Sequence, residues 1–104
     1  MILYHRTSQE AASAILADGF QDVEGTYLTC NVHRGVWLAD RPLDENEGAF
    51  GNVVLKVEGI DERTIADCEW IEDGKPYREW LIPAAVLNET GRTSIFEIDP
   101  EPFV

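Results

Sequence analysis

The sequence predicts an α+β domain built on a mainly antiparallel sheet with one clear N-terminal helix. Two observations carry this. Only residues 8–18 combine helical spacing of apolar side chains with helix punctuation at both ends. Beyond residue 20 the chain is a run of short apolar stretches bounded by Gly, Pro and Asp, so the order is strand, helix, then many strands.

Residues 2–5 read as a short opening strand that Thr7 ends. Thr7 and Glu10 have capping-box spacing, with Thr7 as N-cap. Ala11, Ala12, Ile15 and Leu16 then recur at helical spacing, and Gly19 is placed to terminate the helix, with Phe20 folding back onto it. Residues 26–29 form a short strand, and residues 35–39, Gly-Val-Trp-Leu-Ala, a buried one. Residues 42–51 are acidic, carry two glycines and show no period, which predicts a loop. A strand at 52–58 is closed by Gly59. Residues 68–71 alternate, Asp73-Gly74 signals a hairpin, and residues 76–82 are its returning strand. Pro83 opens a helical turn at 83–88, and 93–98 is the last strand.

At 104 residues the chain has the length of one domain, residues 1–104, with a core large enough to need no staple. Its 20 acidic and 8 basic residues leave a net charge of −12, which repels polyphosphate and disfavours nucleic acid and anionic membranes as partners. The same charge suits a basic protein partner. No apolar leader and no membrane-length run is visible, and two cysteines, Cys30 and Cys68, are too few for a disulfide framework; a reducing cytoplasm is the expectation.

Chemistry-bearing motifs are few. Cys30 and His33 have metal-ligand spacing but lack a third and fourth ligand, so no metal is expected. No nucleophile elbow, phosphate loop or dinucleotide glycine fingerprint occurs. Three residues stand out. His5 ends the first strand before a capped helix, Trp37 lies mid-strand beside Gly35, and Glu79 is a carboxylate set between Tyr77 and Trp80 in an apolar strand. Alternation puts Glu79 on one face with Tyr77 and Leu81, where burial without a partner is costly. Taken singly, each also reads as ordinary structure: a strand-end His, a core Trp and a rim Glu.

Taken as an ordered set they resemble a known family. Leu3-Tyr4-His5-Arg6-Thr7-Ser8, the helix and Gly19-Phe20 resemble the opening of the ADP-ribosyltransferase superfamily, in its His–Tyr–Glu branch of diphtheria-toxin-like and poly-ADP-ribose-polymerase-like enzymes. Residues 35–40 are similar to that branch's second motif, with Trp37 where Tyr is usual, and residues 78–82 to its third. The resemblance implies that the mainly antiparallel β-sheet is split, ADP-ribosyltransferase-like, with a cleft that holds NAD, consumed as substrate. It implies that His5, Arg6, Thr7 and Trp37 bind the dinucleotide, with His5 on a ribose hydroxyl and Trp37 stacked on nicotinamide; Arg6, standing where many members have Gly, either crowds the pocket or contacts the pyrophosphate. Glu79, with His5, would carry catalysis, its carboxylate offsetting positive charge as the glycosidic bond breaks. The product would be ADP-ribose on an unknown acceptor, or free ADP-ribose from hydrolysis. The alternative is a non-catalytic acidic binding protein on the same fold, an inhibitor or regulatory module.

Overall fold

Strand β1 (Leu3–Thr7) sits inside the sheet, and the rest of the chain is laid out on its two sides. The other strands are β2 (Val23–Gly25), β3 (His33–Ala39), β4 (Val53–Glu58), β5 (Glu69–Trp70), β6 (Glu79–Ile82) and β7 (Arg92–Ile98). Two helices, α1 (Gln9–Asp18) and α2 (Ala84–Thr90), and a 3₁₀ turn at Ala66–Cys68 complete it. The strand order is β5-β6-β3-β1-β4-β7, with β2 added on β3. Every pairing among the described residues is antiparallel. The structure is a computed structural model and describes residues 1–25, 33–43 and 50–99. The expected strand at 26–29, most of the expected loop and the Cys30 thiol lie outside these residues.

Register divides the side chains between two faces. Leu3, His5 and Thr7 of β1 lie opposite Val57, Leu55 and Val53 of β4. With Val36 and Leu38 of β3 and Trp80 and Ile82 of β6, these β4 residues and Leu3 form the buried face. Ala12 of α1, Phe20, and Ala84 and Leu87 of α2 cover it. The alternation expected for the strand at 76–82 holds: Trp80 and Ile82 are fully buried, while Glu79 and Leu81 are half-buried on the other face.

Local chemistry explains where the elements stop. The N-cap of α1 is Ser8, whose Oγ accepts from Ala11 N at 3.1 Å. Thr7, expected in that role, is β-branched and stays in β1 opposite Val53. Gly19 ends the helix at φ +90°, a backbone that favours glycine, and donates its N–H to Ile15 O at 2.8 Å. Phe20 does fold back: it is buried, and Asn88 of α2 holds its backbone at both ends, accepting from Phe20 N (2.8 Å) and donating to Phe20 O (2.9 Å). The returning strand β6 starts at Glu79, three residues later than the hairpin signal predicts. Arg78 just before it exchanges hydrogen bonds with Asp40, Asp40 N to Arg78 O and Arg78 N to Asp40 Oδ1, both 3.1 Å, which locks the start of β6 to the end of β3. Helix α2 extends to Thr90 with Pro83 outside its first turn, its Ala84 N–H capped by Asp22 Oδ1 at 2.7 Å.

Replacing Asn88 by Ala strips two hydrogen bonds from Phe20 at once. Expected destabilisation is about 1–3 kcal/mol, read from urea unfolding of wild type and Asn88→Ala.

Candidate functional site

The site begins where β1 and β3 part. These neighbours share one register pair, Tyr4 with Ala39. Continued pairing would set Arg6 against Trp37, but the Trp37 carbonyl is taken by the His5 imidazole, with Nδ1 at 2.7 Å. A carbonyl can only accept, so Nδ1 carries the proton and donates it; in the neutral ring Nε2 is then a lone-pair acceptor. Burial holds the His5 pKa below its ordinary value of 6.5, against the opposing effect of the Trp37 bond. The ring also meets the Phe20 ring edge-on, 5.6 Å between centroids. His5 is therefore a fixed, neutral acceptor in a gap of the sheet.

Beside this gap, under α1, is a cleft of about 340 Å³. His5 and Thr7 form its floor, Ala11, Ala14, Ile15 and Asp18 of α1 one wall, and Phe20, Gln21 and Val23 a second; Gly35, Val36 and Trp37 of β3 close it. The cleft exists because α1 turns alanines toward it, leaving space that larger side chains would fill. Gly35 belongs here for a steric reason. At φ +152° a Cβ would sit 2.9 Å from the carbonyl oxygen of Ile82, so β3 could not lie against β6 with any other residue.

The expected site residues divide into those at this cleft and those elsewhere. His5, Thr7 and Trp37 line it. The Trp37 indole, however, meets the Trp70 ring edge-on at 5.2 Å, and its register partner Leu81 puts it on the face opposite Val36. What Trp37 gives His5 is its carbonyl. Arg6 points the other way. Its guanidinium bonds Leu43 O, Gly51 O (3.1 Å) and Asp99 Oδ2 (2.6 Å), with its side chain 10% exposed. Alternation decides this: neighbours of His5 on β1 face the opposite side of the sheet. Arg6 ties the strand to the segment around Gly51 and does not reach the cleft.

Glu79 is not among the residues lining the cleft. It lies opposite Ala39 on β3 and Trp70 on β5, on the same sheet face as Trp37 and diagonal to it, a spacing of about 7–8 Å between such positions. Its Oε2 accepts from Lys75 Nζ at 2.5 Å, and both side chains are largely sheltered from water, 17% and 16% exposed. Lys75 and Arg41 each stand 5.2 Å from the centre of the Tyr77 ring, which fixes the ammonium next to the carboxylate. So an acid set in an apolar strand does find its partner, four residues earlier in the hairpin.

Sequence reasoning missed Asp18, Gln21 and Lys75. Asp18 and Gln21 flank Gly19-Phe20, and only the backward turn of Phe20 brings them to the cleft. Among the described residues no group of three or more metal-ligating side chains gathers. The Cys68 thiol is pushed up in pKa by desolvation and by Asp67, which makes it a poor nucleophile.

The half-buried histidine has a measurable consequence. Above pH 6.5 the ring is neutral in folded and unfolded chains, and its contribution to stability is complete. Below 6.5 the unfolded chain takes up a proton that the folded chain resists, so stability falls with falling pH, by at most about 1.4 kcal/mol per pH unit from this group. Unfolding of wild type and His5→Asn between pH 7 and pH 5 should show that slope in wild type and a shallower one in the variant.

No helix among the described residues is long and apolar enough to cross a membrane. Compared with family models, curated proteins and solved structures, the chain has no match, and the reading of the site rests on its own geometry.

Proposed function

We propose that the protein binds NAD across the parting of β1 and β3 and cleaves its nicotinamide glycosidic bond, as an ADP-ribosyltransferase-like enzyme or an NAD glycohydrolase. The observation that carries this reading is the His5 imidazole inserted between two neighbouring strands, with its acceptor nitrogen left for a ligand hydroxyl. A ribosyl group in the cleft under α1 donates a hydroxyl to His5 Nε2. The nicotinamide end then reaches past the parting to the opposite sheet face, where Trp37 of β3 and Glu79 of the neighbouring β6 stand. When the bond from C1′ to the ring nitrogen breaks, its electron pair leaves with nicotinamide, which becomes neutral. Positive charge develops on the ribosyl carbon, and a fixed carboxylate nearby lowers the energy of that state. Lys75 engages Glu79 Oε2, so Oε1 is the oxygen this step uses. Water or an acceptor nucleophile then bonds C1′ and releases a proton.

A second reading has its own support. A carboxylate neutralised by Lys75, in a chain of net charge −12, suits a non-catalytic inhibitor or regulatory module on the same fold that binds a basic protein. Nicotinamide release measured alongside calorimetric NAD binding separates the two. Release with saturable binding supports the enzyme, binding without release supports the module, and neither one removes the NAD reading.

A further inference from the structure

The cleft under α1 is rich in hydrogen-bond acceptors and poor in positive charge. Its polar lining residues are His5, Thr7, Asp18 and Gln21, and none of its described lining residues is Lys or Arg. Helix α1 ends at this wall, with Asp18 and no basic residue in its last turn, so the negative end of the helix dipole adds to the carboxylate. The two cations next in sequence to lining residues are paired with carboxylates, Arg6 with Asp99 on the other face and Arg34 with Glu24. Such a wall attracts hydroxyl donors and repels phosphate. Around it Ala14, Ile15, Phe20 and Val36 supply apolar surface for a flat base.

We infer that this cleft is a nucleoside subsite that requires free ribose hydroxyls, and that Asp18 is the residue that excludes a 2′-phosphate. Asp18 accepts from the ribose diol, and a phosphate at the 2′ position would bring about two negative charges against one at hydrogen-bond range. Applied to the proposed reaction, the protein uses NAD and rejects NADP. That application rests on the proposed function; selection of the free diol rests on the lining alone.

The test compares adenosine with adenosine 2′-monophosphate, using calorimetry and the His5 imidazole resonances. Adenosine should bind saturably and shift the His5 signals. The 2′-monophosphate should bind about tenfold more weakly or worse, with the gap narrowing as salt rises. Asp18→Asn should close the gap. Asp18 is exposed at a helix C-terminus, where a neutral residue relieves repulsion with the dipole, so the variant folds. Equal affinity for the two ligands, or no adenosine effect on His5, overturns the inference. NAD and NADP cleaved equally well would overturn it while leaving the proposed function standing. Selective adenosine binding without NAD cleavage would do the reverse.

Discussion

Glu79→Gln is expected to lower nicotinamide release by roughly a hundredfold or more while leaving NAD affinity close to wild type. The substitution keeps the size and removes the charge, so its effect is confined to the state in which positive charge develops on the ribosyl carbon. Lys75 makes the prediction sharper. Its ammonium holds one carboxylate oxygen at 2.5 Å and partly cancels the charge the reaction needs. Lys75→Met should therefore keep turnover at or above wild type, although it too breaks the ion pair. A purely structural role gives a different pattern. Both substitutions would then lower stability, since each strands a sheltered charge or dipole, and neither would change release per folded molecule. Steady-state release for the three proteins, normalised to folded protein by circular dichroism, decides between these outcomes.

The largest effect on stability is expected one residue further along the same strand. Trp80 is fully buried in the core face of β6, with the Arg78 guanidinium 4.8 Å from its ring centre. Trp80→Ala should cost about 3–5 kcal/mol, a large part of the stability of a domain this size. The conservative change behaves differently, because Trp80 Nε1 is buried with no hydrogen-bond partner among the described residues. Trp80→Phe loses some apolar contact but also removes an N–H whose burial costs about 1–3 kcal/mol. Its net destabilisation should be under about 1.5 kcal/mol. Urea midpoints and slopes for the two variants check both figures. Equal, large losses would mean that the indole N–H has a partner after all.

These two residues show what the sequence can and cannot reveal. The α+β class was legible because helix signals occur in force once, between Ser8 and Gly19, and because period-2 alternation assigns Glu79 and Trp80 to opposite faces without any tertiary information. Boundaries failed where a side chain is used for tertiary work. The hairpin signal starts the return strand at Pro76, yet the ladder waits for Glu79 because Arg78 is tied to Asp40. Helix α2 runs through Asn88, a weak helix former, because that amide grips both ends of Phe20.

The site divides along the same line. His5 and Trp37 could be picked out by residue type and position, but their relation could not. It depends on β1 and β3 being neighbours that share one pair and then separate, a long-range fact set by register. Arg6 and Thr7 sit next to each other after His5 in sequence, and only alternation separates them: Thr7 shares the cleft with His5 while Arg6 faces away. Lys75 was readable as a neighbour of Glu79 but not as its partner, since only the hairpin's path folds one onto the other. Asp18 and Gln21 gave no signal at all, because polar residues around a helix end are ordinary.

The central claim is that His5 is a neutral acceptor held in the gap between two strands and used by a nucleotide ligand. Long-range nitrogen–proton correlation spectra of the imidazoles test it directly, and the chain has only two histidines to assign, His5 and His33. At pH 7 the His5 ring should appear as the neutral tautomer protonated at Nδ1, and added NAD should shift its Nε2 resonance saturably with little change at Nδ1. A charged ring, the opposite tautomer, or a His5 signal indifferent to saturating NAD and adenosine would contradict the account.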